Sequence, residues 1–342
     1  MMRSLPRLLL RLVFLLIVAV LLGTGGFLAW FSSWRAEKLS LLNAASTVAE
    51  TKAGKVEYVR SGEGPSLLVF HGSPGGFDQA MLFASSLSDS EFQIIAPSRP
   101  GYLRTPLTAG LTPENQADAM LALLDSLSID HVAVMGVSLG APAAIEFARR
   151  HPERAWALVL VSPVTKKLPP QPLNPPLPGV LNERLTGDVG SWALVEAAQR
   201  DPVRALEGAF DIAQSGDLQA RTSWVQAVQG NSAQLAWFRD LAGTVAPLSP
   251  RETGLRNDLL QLRALADVPY DKLTIPALFI HGAEDKWIPL QDVEAARTRM
   301  PNAELLDVPG TGHLVWLGPD SDKVGKKILE FLNRFHGGQS AP

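Results

Sequence analysis

The chain has 342 residues, of which 46% are hydrophobic, and its 31 basic and 34 acidic residues give a formal net charge of −3. This length predicts either two domains or one large α/β domain with an insertion. The near balance of charge provides no basic field of the kind that binds nucleic acid, so we expect no nucleic-acid partner. The sequence contains no cysteine, which excludes disulfide bonds, cysteine-ligated zinc and a thiol nucleophile.

A stretch near the N-terminus, residues 12–31, is almost entirely apolar. About twenty such residues are enough for a helix to cross the hydrocarbon core of a bilayer. Three arginines precede the stretch, and Trp30 and Trp34 lie where a membrane interface is expected. We therefore predict a transmembrane helix within a membrane anchor of residues 1–34. Its basic end would lie in the cytoplasm and the following chain outside it, on the periplasmic side in a bacterium.

The alternative for residues 1–34 is a signal peptide that is removed during secretion. A signal peptide has a shorter apolar core and a small-residue cleavage site. The small-residue segment in this sequence, residues 23–25, is followed by more apolar residues, so we favour the anchor. Residues 35–54 are expected to form a helical or loose linker after it.

Short apolar runs alternate with helix-like segments after residue 54. This alternation predicts an α/β protein with a doubly wound, mostly parallel sheet, whose ligand sites form outside the carboxyl ends of the strands. Residues 164–272 interrupt the alternation. A proline-rich beginning there is followed by five segments whose apolar residues recur at three- and four-residue spacing, which predicts an inserted group of helices.

Ser138 lies at a corner between a predicted strand and a predicted helix. It is the central residue of Gly136-Val137-Ser138-Leu139-Gly140, which follows the apolar run 131–135 and precedes the helix-like segment 141–150. In this context a G-x-S-x-G pattern indicates a nucleophilic serine held on a sharp turn above the sheet. The alternative is a glycine-rich turn with an incidental serine, because so short a motif also occurs by chance.

Two further motifs follow other predicted strands. They are His71-Gly72-Ser73-Pro74 and Arg99-Pro100-Gly101. Together with the serine motif, in this order and spacing, they resemble the α/β-hydrolase superfamily, in the branch with H-G-x-P, R-P-G and G-x-S-x-G motifs. The resemblance covers roughly residues 55–163 and 273–336.

The resemblance implies an α/β-hydrolase core of residues 55–163 and 273–342, with residues 164–272 as an inserted helical cap. Two positions depart from the family pattern. Ser98 stands where the family commonly has Asp before R-P-G, and Val137 stands where it often has a polar or aromatic residue. Neither departure removes a catalytic group, but both leave the subfamily open.

A serine hydroxyl needs a general base, and that base needs an orienting group. Among six histidines, only His313 is placed on a loop after a late strand and downstream of a candidate acid. The candidate acid is Asp285 in the H-G-x-x-D pattern of residues 281–285; its neighbour Glu284 is the rival and is expected to stabilise the loop. The order Ser138, Asp285, His313 is the Ser–acid–His order of this fold.

The resemblance implies acyl transfer through a covalent acyl-enzyme, with no metal or organic cofactor. The backbone amides of Ser73 and Leu139 are expected to form the oxyanion hole, since preorganised amides stabilise the charge that develops on a carbonyl oxygen. Aromatic residues are candidates to line the substrate pocket, with ordinary cap core as the alternative for the tryptophans. They are Tyr102, Trp192, Trp224 and Trp237.

The expected substrate is a small molecule, an apolar ester cleaved by a carboxylesterase-like or lipase-like enzyme. A first alternative is an aminopeptidase resembling the proline iminopeptidases, suggested by residues 71–76. Those enzymes usually have Trp where this chain has Leu139. Carbon–carbon bond hydrolases share the triad and the cap and remain a second alternative. A hydrolase fold that only binds a ligand or partner is a third, of a different class.

Overall fold

The computed structural model describes residues 5–87, 91–167 and 183–336. Contacts between residues divide the described chain into two compact units, one ending at Ala45 and the other beginning at Ser46. The proline-rich beginning of the insertion lies in part outside the described residues.

The first unit is a single helix, α1, from Leu5 to Ala45. Its most apolar window has a mean hydropathy of 2.6, so the helix is long and apolar enough to cross a membrane. A signal sequence meets the same criterion. The helix continues through residues 35–45, the first half of the range expected to be a linker, because that segment is rich in the helix formers Ala, Leu, Glu and Lys.

The second unit is built on an eight-stranded sheet with the strand order β1-β2-β4-β3-β5-β6-β7-β8. The pairs β1–β2 and β2–β4 are antiparallel and the remaining pairs are parallel. The predicted α/β class with a mostly parallel sheet is therefore confirmed. The strands are β1 (Thr47–Thr51), β2 (Gly54–Ser61), β3 (Ser66–Phe70), β4 (Gln93–Pro97), β5 (Val132–Val137), β6 (Ala155–Val161), β7 (Ala277–Gly282) and β8 (Ala303–Val308).

The edge strand β1 was not anticipated, because it lies inside the range expected to be a linker. It forms a hairpin with β2 in which Thr47 pairs with Tyr58 and Thr51 pairs with Gly54. Its five residues have no buried position. A strand this short and polar carries little hydrophobic periodicity, which explains why the sequence alone did not reveal it.

Helices cover both faces of the sheet. Along β3, Leu67 and Val69 belong to one apolar cluster and Leu68 and Phe70 to the other, as the two-residue period of a strand requires. The first face packs against α2 (Phe77–Phe83) and α11 (Asp322–Phe335). The second packs against α3 (Pro113–Ser126), α4 (Ala141–Arg150) and α10 (Leu290–Arg299).

The insertion has five helices, and the first four of them form a third apolar cluster, whereas Leu262 of the fifth joins a cluster of the core. The members of the third cluster include Leu206, Phe210, Trp224 and Phe238, and Leu317 of the core joins them. Asp201, Asp217 and Asn231 cap three of the helices with their side chains. The helices are α5 (Glu183–Arg200), α6 (Pro202–Ala213), α7 (Leu218–Gln229), α8 (Ser232–Gly243) and α9 (Glu252–Ala264).

Candidate active site

Ser138 follows β5 directly and begins a 3₁₀ turn that leads into α4. Its φ of 51° lies in the left-handed region, which is strained for a residue with a side chain. The flanking glycines allow this geometry. A Cβ atom on Gly136 would lie 2.6 Å from that of Ala144, and one on Gly140 would lie 2.4 Å from the His71 carbonyl oxygen. The corner therefore requires Gly on both sides of the serine.

The three residues predicted as nucleophile, base and acid form a hydrogen-bonded series with His313 in the middle. Ser138 Oγ lies 2.9 Å from His313 Nε2, and His313 Nδ1 lies 2.8 Å from Asp285 Oδ2. With Nδ1–H donating to the carboxylate, Nε2 is free to accept the hydroxyl proton. The residues come from loops at the carboxyl ends of β5, β7 and β8, which is where sites form in such sheets.

Asp285 is held in its charged form by its surroundings. Burial alone would raise the pKa of this carboxyl, but the charge and hydrogen bond of His313 outweigh that effect and lower the pKa below its ordinary value. The other oxygen, Oδ1, accepts the backbone amides of Trp287 and Ile288 at 2.8 and 3.0 Å. His281 approaches Oδ2 to 3.5 Å. The neighbouring Glu284 turns away and accepts the Thr311 amide at 2.9 Å.

The loop of residues 71–76 passes beside Ser138. A Cβ atom on Gly72 would lie 3.5 Å from Ser138 Cβ. The Ser73 side chain does not face the nucleophile as a free group, because its hydroxyl is bonded to Tyr102 Oη at 2.5 Å and to the Asp258 carboxylate. Of the two residues whose backbone amides were predicted to form the oxyanion hole, Ser73 lies in this loop and Leu139 directly follows Ser138.

A buried polar cluster, formed by Arg99, Tyr102, Asp258 and Ser73, holds this loop through the Ser73 hydroxyl. Asp258, on α9, accepts Arg99 Nη1 at 2.9 Å, Arg99 Nη2 at 2.5 Å and the Tyr102 hydroxyl at 2.6 Å. The Arg99 and Asp258 side chains are 1% and 4% exposed. Burial and the charge of Asp258 raise the pKa of Tyr102 well above its ordinary value, so its hydroxyl remains a donor.

Ser98, at the position where the family commonly has Asp, is hydrogen-bonded to a carboxylate from another strand, Glu57 of β2. Ser98 donates its hydroxyl to Glu57 at 2.8 Å and accepts the Phe77 amide at 3.1 Å. Glu57 is 1% exposed and also binds the Arg104 guanidinium at 2.6 Å. The Phe77 amide at the beginning of α2 is therefore linked through the Ser98 hydroxyl to a buried carboxylate.

The structure distributes the predicted pocket residues differently from expectation. Tyr102 is fully buried in the polar cluster rather than lining an open surface. Trp224 packs on Phe210 and donates to the Leu317 carbonyl at 3.3 Å, and the Trp237 ring lies 5.4 Å from that of Trp316. Both tryptophans thus contact residues of the hydrolase core from the cap. Trp192 is half-buried on α5.

The sequence interpretation missed Trp287, the aromatic side chain beside His313. Its ring lies 4.6 Å from that of His313, and the residue is 45% exposed. Its place two residues after Asp285 is the signal that would have revealed it. A groove of about 840 Å³ between the Lys52–Ala53 turn and α3 shares no residue with this site.

The fold, the strained serine corner and the hydrogen-bonded side chains define the class of an α/β-hydrolase. The sequence profile of the alpha/beta hydrolase fold matches residues 65–318, and the chain belongs to this family. It is 29% identical over 282 residues to the uncharacterised hydrolase YcgS of Bacillus subtilis, covering 82% of this chain and 95% of that protein.

Two further similarities are consistent with the family. The chain is 29% identical over 264 residues to a pimeloyl-[acyl-carrier protein] methyl ester esterase of Aromatoleum aromaticum, covering 75% of this chain and 94% of the esterase. An α/β-hydrolase fold protein from Nakamurella multipartita superposes with a TM-score of 0.76 at 27% identity, over 86% of this chain and all of that one. The similarity extends over nearly the full length of these proteins.

Proposed function

We propose that the protein is a serine hydrolase that cleaves an ester bond through an acyl-enzyme. The observation that carries this proposal is the continuous hydrogen-bonded series from Ser138 through His313 to Asp285, with the serine on a strained corner. A nucleophile, a base and an orienting acid in this arrangement are the elements of acyl transfer by serine.

In the proposed reaction Ser138 Oγ attacks the ester carbonyl while His313 Nε2 takes the hydroxyl proton. The tetrahedral intermediate then expels the alcohol, to which His313 returns that proton, and the acyl group stays on Ser138. A water molecule next gives a proton to His313 and attacks the acyl carbonyl. When this second tetrahedral intermediate collapses, His313 returns the proton to Ser138 Oγ and the carboxylic acid is released. Asp285 fixes the imidazole tautomer and stabilises the imidazolium in both steps.

The proposed oxyanion donors are the backbone amides of Ser73 and Leu139. The close passage of residues 71–76 beside Ser138 supports this assignment. Removing one donor of this kind typically raises the barrier by about 2.7–4 kcal/mol. Because both donors are backbone groups, their placement depends on the loop conformation rather than on a side chain.

An apolar ester is the proposed substrate class. Two exposed apolar side chains flank the acid and base loops: Trp287 stands against His313, and Ile212, 60% exposed, adjoins the cap residue whose carbonyl binds the His313 amide. Apolar side chains exposed at a concave site bind apolar groups. The relative named as a methyl ester esterase agrees with an ester bond.

We further propose that α1 anchors the protein in a membrane through residues 12–31, with the hydrolase unit outside the cytoplasm. The apolar length of α1 and the preceding arginines support this. A reporter active only in the periplasm, fused after the last residue, should be active in a bacterial host. A signal from a cytoplasmic reporter alone would refute the orientation, and a mature chain lacking residues 1–34 would refute the anchor.

Labelling with a fluorophosphonate probe tests the nucleophile. The wild-type protein should be labelled, Ser138→Ala should not, and Ser126→Ala, which changes a serine on α3 away from the site, should be labelled at the wild-type rate. An unlabelled wild-type protein, or labelling that persists in Ser138→Ala, would disprove the assignment.

A panel of p-nitrophenyl esters, prolyl amides and a vinylogous 1,5-diketone tests the bond that is cleaved. We expect hydrolysis of the esters, fastest for acyl chains of small to medium length. Cleavage of the prolyl amides alone would instead support an iminopeptidase-like enzyme. Cleavage of the diketone alone would support a carbon–carbon bond hydrolase.

A further inference from the structure

The cap crosses the acid and base loops through a short segment at the end of α6, residues 213–215, named here the cap strap. The strap makes backbone hydrogen bonds to both loops. The His313 amide donates to the Ala213 carbonyl at 3.0 Å, and the Ser215 amide donates to the Glu284 carbonyl at 2.8 Å. The strap therefore contacts the peptide of the proposed base and the residue before the proposed acid.

Gln214, the central residue of the strap, is 5% exposed and holds the base loop with both ends of its amide. Its Oε1 accepts the Gly312 amide at 3.1 Å, and its Nε2 donates to the Gly310 carbonyl at 3.0 Å. Its backbone also forms a bridge with Asp285. One cap residue thus binds the segment directly before His313 while pairing with the acid.

The strap, the loop before His313 and the end of β7 are in close contact at this point. A Cβ atom on Gly312 would lie 2.4 Å from the Ala213 carbonyl oxygen, and one on Gly282 would lie 2.2 Å from the Gly312 carbonyl oxygen. On the core side, Ser162 donates its hydroxyl to the His313 carbonyl at 2.8 Å. The peptide of His313 is therefore fixed from the cap through its amide and from the core through its carbonyl.

We propose that Gln214 is a positioning residue that sets the distance between His313 Nε2 and Ser138 Oγ by fixing the backbone before His313. The inference rests on the proposed function, in which His313 is the general base. The cap is then part of the catalytic arrangement, because His313 reaches its working position only when the strap is hydrogen-bonded to the base loop. Misplacing a reacting group by about 1 Å can reduce a rate by about 100-fold.

The cap contains a matched control for this contact. Gln234 of α8 binds Gly318 in the same two-ended way, with Nε2 donating to its carbonyl at 3.0 Å and Oε1 accepting its amide at 2.8 Å. Both glutamines thus join the cap to the chain after β8 by two hydrogen bonds. Only the Gln214 contact adjoins His313, so the two differ in position rather than in kind.

The test compares Gln214→Met with Gln234→Met in the full-length protein in detergent. Methionine keeps the length of the side chain and removes both hydrogen bonds. We expect Gln214→Met to lower kcat for a p-nitrophenyl ester, and the fluorophosphonate labelling rate, by roughly 10- to 100-fold, with KM within about twofold of wild type. Gln234→Met should stay within about twofold of wild type in all three.

Hydrogen exchange provides a readout that does not depend on activity. The amides of Gly312 and His313 should exchange faster in Gln214→Met and at the wild-type rate in Gln234→Met. Equal losses of kcat in both variants, or wild-type kcat and wild-type exchange in Gln214→Met, would overturn the inference. An unlabelled wild-type protein would instead overturn the proposed function, and the exchange result would still decide whether Gln214 holds the loop.

Discussion

The cap holds both sides of the candidate site, but through different chemical groups. The acid–base side contains Asp285 and His313, and the oxyanion side contains the loop of residues 71–76. On the acid–base side, the cap strap uses neutral groups: the amide of Gln214 and the backbone of Ala213. On the oxyanion side, α9 uses a charged group, the carboxylate of Asp258, buried against Arg99. The same insertion thus fixes one loop without charge and the other with a buried ion pair.

This difference matches what each side is proposed to do. A further charge beside the Asp285–His313 pair would change which protonation state is favoured there, whereas neutral amides position the loop without that effect. On the oxyanion side the proposed donors are backbone amides, which do not titrate. A buried ion pair is compatible with that role, but removing one partner leaves an uncompensated charge.

The largest expected effect comes from changing the carboxylate that is hydrogen-bonded to His313. Asp285→Asn should lower kcat by about 10⁴-fold, because the amide favours the wrong imidazole tautomer. Glu284→Gln, which changes the neighbouring carboxylate, should retain most of the activity. Steady-state kinetics on a p-nitrophenyl ester measure both. If Glu284→Gln caused the greater loss, the assignment of the acid would be wrong.

The next largest effect should come from the oxyanion side. Asp258→Asn should lower the free energy of unfolding by about 3–5 kcal/mol, because it leaves Arg99 buried without a counter-charge. The matched change Asp118→Asn removes a carboxylate that pairs with Arg150 and His151 and is 40% exposed. It should have an effect of no more than about 1 kcal/mol. Urea unfolding of the full chain measures both, and equal effects would refute the contrast.

The pH dependence of stability distinguishes the two sides through one buried histidine on each. Burial and the charge of Arg99 lower the pKa of His71 well below 6.5, and burial lowers the pKa of His281, with the charge of Asp285 opposing the shift. His71 Nε2 accepts the Arg99 amide at 2.9 Å, which requires the neutral ring. Both side chains are therefore neutral in the folded state at neutral pH.

Below about pH 6.5 the unfolded chain binds protons that the folded chain does not, so stability is present above that pH and lost as the pH falls. Each histidine should contribute a slope of about 1.4 kcal/mol per pH unit until its own folded pKa is reached. Each substitution should remove the slope that its histidine contributes. The effect of His71→Asn should extend to a lower pH than that of His281→Asn, because the pKa of His71 is lowered further. Urea unfolding between pH 5 and 8 measures this slope for each variant. A slope that neither His71→Asn nor His281→Asn alters would contradict the prediction.

Much of the fold followed from local sequence patterns. The apolar run of residues 131–135 overlaps β5, and the helix-like segment of residues 141–150 has the same bounds as α4. Such features depend on neighbouring residues. The short strand β1 was missed because its periodicity is weak, and it joins the sheet only through its pairing with β2.

The contacts that support the site could not be read in the same way. Asp258 meets Arg99 across 159 positions of sequence, so no spacing rule connects them. Tyr102 was expected to line a pocket, but Gly254 of α9 packs directly over it: a Cβ atom there would lie 2.2 Å from its ring. A cap residue distant in the sequence thus helps to bury the tyrosine, and the segment around Tyr102 gives no sign of this.

The smallest expected effects come from two glycines changed in the same way. Gly312→Ala places a Cβ atom 2.4 Å from the Ala213 carbonyl oxygen, where backbone atoms of the strap must move. It should lower the free energy of unfolding by about 1–3 kcal/mol and slow fluorophosphonate labelling. Gly208→Ala, within α6 where no atom lies within 4 Å of the new Cβ, should raise stability by about 0.5–1 kcal/mol.

Urea unfolding and labelling of both variants separate a local contact from a general effect of alanine. If Gly208→Ala is labelled at the wild-type rate while Gly312→Ala is slower, the rate depends on the seating of the strap against the base loop. If Gly312→Ala is as stable and as reactive as wild type, the strap does not press on that loop. The acid–base side would then be positioned by the core alone, and the cap would position only the oxyanion side.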